Sequence, residues 1–258
     1  RLLVTSLVLP ALALADNNPT SSVDQLSEPF VDQITGLPME RFVDPWTSFA
    51  FAFALPEAQQ PASLIGQLSL PLVDGQGWGF FGLGDDSNKN AVLAVWPDGQ
   101  GGVTASFRQS SHINRPPVVK TDFQVRPLPD GIFVNETLLT YTFLCENCLD
   151  VNLERDDETG DAVMAWGLSG KRPRGRATDN AARLGSRERG FGLFTARLGE
   201  AKTTDFDAVA ATALDAVPAV ARVQTELRRA IEDDVANNTS GDETDGVNGN
   251  SDNDANSD

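Results

Sequence analysis

Two apolar runs, Trp78–Leu83 (WGFFGL) and Ala91–Trp96 (AVLAVW), flank a short polar loop, Gly84–Asn90, and this arrangement limits the fold more than any other feature of the chain. Bulky residues bounded by Gly, Asp and Asn suit buried strands, because a pleated surface accommodates such side chains while a loop needs a permissive backbone. The runs are read as buried strands, and the loop between them as the place where a ligand would be held.

The rest of the chain follows the same pattern. Phe49, Phe51, Phe53 and Leu55 alternate with Ala50, Ala52 and Ala54, the period of a core strand with one crowded and one small face. Further strands are expected at Leu64–Leu72, Val103–Gln109, Thr121–Val125, Gly131–Val134, Leu138–Leu144, Ala162–Leu168 and Gly190–Leu198, with Ile34–Arg41 as a turn and approach. Many short strands separated by Gly, Pro and Asp, with no helix between them, predict an all-β antiparallel sandwich or barrel. Past Thr204 the period changes: Phe206, Val209, Ala213, Val217, Val220, Val223, Leu227 and Ile231 recur at three- and four-residue steps, predicting a helical extension over 201–235 that Pro218 kinks.

At 258 residues the chain has room for one sizeable domain with extensions. Residues 1–15 (RLLVTSLVLPALALA) have the basic start, short apolar run and small-residue end of a secretory signal whose beginning is missing, and residues 16–25 read as a polar lead-in. The expected location is extracellular. No later apolar run approaches the roughly 20 residues of a membrane-spanning helix. The formal charge of −17 argues against nucleic acid as a partner. Residues 236–258 consist almost wholly of Asn, Asp, Ser, Gly and Thr and are expected to form a disordered acidic tail, since they bury too little apolar surface to offset their ordering entropy.

The two cysteines, Cys145 and Cys148, are spaced C-x-x-C, which admits a zinc half-site, a redox pair or a local disulfide. Zinc would want two further soft ligands from a chain with no other cysteine and one histidine. A redox pair would open a helix in a βαβ unit. Following a strand in an exported chain, the pair is read as a structural disulfide.

The stretch from Leu83 and Gly84 to Trp96 resembles a segment of the fungal cellobiose dehydrogenase cytochrome domain, a DOMON-type β-sandwich, that reads roughly LGG-x-M-x-N-x-L-L-x-A-W. The likeness extends to LCENC around Cys145, AWG at Ala165–Gly167 and FGLF at Phe191–Phe194, and spans about residues 26–200. It selects the sandwich over the barrel. It also implies a b-type haem, held by a Met from the loop and a His just before the FGLF strand, and electron transfer to an external acceptor such as a copper polysaccharide monooxygenase. Aligned on Leu83 and Gly84, the Met position falls on Ser87, and the residues before the late strand are Ser186, Arg187, Glu188 and Arg189. Low-spin haem needs thioether or imidazole donors, which Ser87 and Glu188 do not supply.

Other side chains could also serve as ligands. His112 lies in a loop beside Pro116 and Pro117, Met39 in the N-terminal approach, and Met164 alternates as a core residue would. Lys171, Arg172, Arg174, Arg176, Arg183, Arg187 and Arg189 form a basic run suited to propionates, an anionic polysaccharide or an acidic partner, or simply a solvated loop. Asp85, Asp86 and Asn88 lack the spacing of an EF-hand and read as a turn. Asn135, Asn237 and Asn238 head N-glycosylation sequons. No dinucleotide-binding glycine pattern or catalytic motif is present. The expectation is therefore a secreted, haem-free binding or structural module at the cell wall or on plant polysaccharide. Its rival is an extracellular b-haem domain with unusual ligation that passes electrons to a partner oxidoreductase.

Overall fold

The computed structural model of the chain describes residues 19–58, 62–84, 91–109, 123–150, 153 and 155–216. Among these described residues, twelve strands and one short α-helix follow in order: β1 Glu28–Val31, β2 Pro38–Val43, β3 Ala50–Pro56, β4 Leu64–Pro71, β5 Trp78–Leu83, β6 Ala91–Pro97, β7 Val103–Gln109, β8 Gln124–Val134, β9 Leu138–Glu146, β10 Ala162–Ser169, β11 Gly190–Ala196, β12 Lys202–Thr203 and α1 Phe206–Ala210. One sheet has the order β1-β2-β3-β4-β9-β8, with β12 added in parallel to β3; the other has the order β11-β10-β5-β6-β7. All other ladders are antiparallel. The expected β-sandwich is what the chain forms.

The alternation in β3 explains the layering. Phe51, Phe53 and Leu55, with Phe49 just before the strand, point between the sheets, where Phe51 stacks on Phe81 at 4.2 Å and Phe49 on Trp166 at 4.7 Å. Phe42 stacks on Phe194 at 4.3 Å, also across the sandwich. Such ring pairs add about 0.5–1.5 kcal/mol each beyond the area they bury. Ala52 and Ala54 face the other way and are covered by Phe206 of α1, together with Leu37, Met39, Ile65, Leu128 and Leu144. A strand read as having one crowded and one small face is thus buried on both.

Three elements differ from the sequence reading. The expected strands at Thr121–Val125 and Gly131–Val134 are one strand, β8, whose register on β9 shifts between Pro127 and Ile132. The two prolines of that stretch mimic a break, but an edge strand absorbs them in a bulge. Residues 20–27 do not lead in freely. Thr20 and Ser27 donate backbone hydrogen bonds to Phe191 and Thr195 of β11, and Ser21 Oγ donates to the Leu193 carbonyl at 2.7 Å. The helical period from Phe206 is realised over Phe206–Ala210; at Leu214 the amide donates to the Pro127 carbonyl instead, and the remainder of the expected helix lies outside the described residues.

Candidate functional site

The alternation of β5 and β6 puts Trp78, Phe80, Val92, Ala94 and Trp96 on the outer face of the five-stranded sheet, next to Ala165 of β10. The β10–β11 connection, residues 171–189, crosses this face as a strap and seals it with Ala182 and Leu184. Three side chains hold the strap by its carbonyls. Trp96 Nε1 and Thr104 Oγ1 both donate to the Ala177 carbonyl at 2.7 Å. Arg108, fully buried, donates through Nη2 to the carbonyls of Asn180 at 3.0 Å and Ala182 at 2.7 Å, while its Nε reaches Ser106 Oγ at 2.8 Å. Burial pulls the Arg108 guanidinium down to about 10, against the opposing field of Asp179. The strap's two limbs join at a backbone bridge between Arg174 and Arg183.

The end of the strap carries Ser186, Arg187, Glu188 and Arg189, the residues expected from the resemblance to stand where the family has its haem histidine. Arg187 lies over the Phe191 ring at 4.7 Å and the Phe80 ring at 5.9 Å. Gly167 permits this, because a Cβ there would sit 2.4 Å from Phe80 Cε1 and 2.7 Å from Arg187 Cδ. Glu188 is exposed and braces the turn, accepting from Ser169 Oγ at 2.8 Å and from the Gly170 amide at 3.1 Å. Arg189 donates to the Pro71 carbonyl. Ser169 pairs with Trp78 at one end of β5, whereas the chain leaves for Ser87 past Leu83 at the other end. Ser87, Asp85, Asp86, Asn88 and His112 themselves lie outside the described residues.

The donors that are described do not fit an axial haem pair. Met164 is fully buried between the sheets and Met39 is packed under α1, so neither thioether faces a cleft. Both cysteines are joined in the Cys145–Cys148 disulfide, Cα atoms 5.7 Å apart, which ties the end of β9 to the 3-10 turn Cys148–Asp150. Among the described residues no group of three or more His, Cys, Asp or Glu side chains is placed to hold a metal ion.

A second concave region lies at the β1–β2 edge. A groove of about 490 Å³ is lined by Asp24, Gln25, Glu28, Arg41, Val43 and Pro45, among others. Next to Pro45, Trp46 is 81% exposed, presented by a turn in which Asp44 accepts from the Thr47 amide and hydroxyl and Ser48 takes a left-handed φ of 61°. Leu26 and Val43, which line the groove, are exposed, as are Val23, Val31 and Ile34. The sequence reading missed this edge, since D-P-W-T reads only as a turn and nothing local says that its tryptophan faces water. It also missed Arg108, whose alternation with Phe107 marks it as a solvent-facing residue until the strap covers it. Asn135 is exposed at the β8–β9 turn, its Oδ1 accepting from the Thr137 and Leu138 amides; Asn237 and Asn238 lie outside the described residues.

No helix among the described residues is long and apolar enough to cross a membrane. A search of curated proteins gives no match. Among solved structures, the cytochrome domain of Myriococcum thermophilum cellobiose dehydrogenase is similar, with a TM-score of 0.65 at 24% identity over 74% of this chain and 98% of that one. The cytochrome b domain of pyranose dehydrogenase from Coprinopsis cinerea matches with a TM-score of 0.58 at 23% identity, over 78% of this chain and 98% of that one. These two likenesses carry the fold. The model of the cytochrome domain of cellobiose dehydrogenase matches residues 30–208, from β1 into α1, and the chain therefore belongs to the family of cellobiose dehydrogenase cytochrome domains.

Proposed function

We propose that this member of the family is a haem-free, extracellular module that binds polysaccharide of the cell wall or of plant tissue. The observation that carries the reading is Trp46, 81% exposed and next in the chain to Pro45, which lines a groove with carboxylate, amide and guanidinium side chains, so that a flat apolar face follows directly on hydroxyl-bonding groups. Pyranose rings present C–H faces and hydroxyl edges, so a large exposed aromatic flanked by polar groups is the chemistry they require. Glu188, spent on its own turn, supports the haem-free half of the proposal. The exposed sequon at Asn135 supports export.

The test is retention on insoluble β-glucan together with affinity electrophoresis in soluble glucans. Trp46→Ala is expected to weaken binding about tenfold or more, corresponding to about 1.4 kcal/mol or more. Undiminished binding by that variant discards the groove, and absence of binding to every glucan discards the module.

A second reading, a b-haem electron-transfer domain with unusual ligation that serves a partner oxidoreductase, is supported by the family and by one register. Ala91 pairs with Gln109, so the segments carrying Ser87 and His112 join adjacent strands at the same end of the five-stranded sheet. An absorption spectrum of the purified protein decides between the readings. Stoichiometric haem with a Soret band that is lost on His112→Ala selects the second.

A further inference from the structure

The strap collects positive charge on a strongly negative chain. Lys171, Arg172, Arg174, Arg176 and Arg183 are all exposed, and none forms an ion pair with a described residue. Arg174 and Arg183 are held directly opposite one another by the backbone bridge, a juxtaposition of like charges that costs free energy unless an anion offsets it. Arg172, Arg174 and Arg176 alternate with Pro173 and Gly175, a two-residue spacing. Arg174 is tied to Arg183 through both backbone amides, and Trp96, Thr104 and Arg108 grip the following carbonyls of Ala177, Asn180 and Ala182. The surface is thus a pre-organised cationic ridge in a chain of formal charge −17.

We infer that the occupant of this ridge is the chain's own acidic C-terminal segment, Asp242–Asp258. That segment has no basic residue, and its carboxylates at Glu243 and Asp245 and at Asp252 and Asp254 repeat the two-residue spacing of the arginines. Charge-assisted, bidentate contacts between guanidinium and carboxylate are the interaction this pairing provides. The geometry of the chain allows it. The last described residues bond to β8 on the outer face of the opposite sheet, where Arg126 Nε donates to the Leu214 carbonyl. The β8 side of that sheet lies alongside the β7 edge, as Phe107 of β7 packs edge-on against Phe123 at 4.8 Å. Two sheets about 10 Å apart, with one further layer about 10 Å out on each side, make a path of about 30 Å around this edge. Residues 217–241 cover that span whether helical, at about 1.5 Å per residue, or extended, at about 3.3 Å per residue. A tethered segment whose reach matches its site acts at an effective concentration in the millimolar range, enough for a weak ionic contact to be populated at low salt. The segment would then shield the ridge from external polyanions.

The experiment uses the full chain with a nitroxide on Ser251→Cys and reads paramagnetic broadening of amide signals. Broadening of the 171–183 amides at about 50 mM salt is expected, falling away at about 0.5 M, where screening is severe. It should also vanish in Arg172→Gln/Arg174→Gln/Arg176→Gln, a change of exposed side chains whose retained fold is checked from the unperturbed sheet amides. Removal of residues 236–258 should strengthen binding of polyglutamate, used as the probe, by about tenfold at low salt. Broadening that persists in the neutralised strap overturns the proposal, as does polyglutamate affinity unchanged by the truncation. Broadening seen only between separately labelled molecules also overturns it, since the occupant would then be a second copy's tail.

Discussion

Asp32 shows how one side chain organises a turn. It accepts from the Thr35 amide and hydroxyl and from Gln67 Nε2, which also donates to Thr142 Oγ1. Burial alone would raise its pKa; the hydrogen bonds outweigh it and hold the carboxyl below the ordinary aspartate value of 3.8. A depressed folded-state pKa means that the stabilisation is complete above the unfolded value and is lost as pH falls through the folded one. Stability should therefore decline below about pH 4, and Asp32→Asn should flatten that decline in denaturant melts taken at successive pH values. Gly66 makes a different demand. A Cβ there would lie 2.5 Å from Phe143 Cζ in the middle of the core, so Gly66→Ala should lower stability by about 1–3 kcal/mol in urea melts, through overpacking alone.

At the scale of elements, the strap depends on Arg108. Replacing it with Ala removes a donor from the Asn180 carbonyl and the donor of the buried Ala182 carbonyl, and an unsatisfied buried acceptor costs about 1–3 kcal/mol. The expected outcome is faster tryptic cleavage within 171–189, with the sheets intact by circular dichroism. Cleavage at the native rate would mean that Trp96 and Thr104 suffice. The Cys145–Cys148 bridge is a lesser contributor, for it closes a loop with a separation of 3 residues, and the chain-entropy relation gives about 2 kcal/mol for so short a ring. A Cys145→Ser/Cys148→Ser variant should fold and melt earlier by roughly that amount, and a larger loss would point to packing of the two buried sulfurs rather than to the cross-link.

At the scale of the molecule, the segment before β1 clamps the two sheets together. Trp166 Nε1, buried between the sheets, donates to Ser21 Oγ at 2.7 Å. Ser27 Oγ donates at 2.8 Å to Glu40, which Arg197 also binds at 3.0 Å. A chain beginning at Glu28 should lose about 2–4 kcal/mol, because buried polar groups on both sheets are left without partners. Equal urea midpoints for the two forms would show that water replaces the segment without cost. Sheet content, most strand positions and the cysteine pairing are legible in the chain, because period-two alternation and turn residues act within a few neighbours. The family is legible there too, through short motifs such as AWG and FGLF. The three-dimensional packing alone reveals that Ala52 and Ala54 are covered, that Arg108 is buried, that Glu188 braces a turn and that Trp46 faces water. Each of these rests on contacts between residues far apart in the chain, whose side-chain types alone fit a solvated surface as well as a packed one.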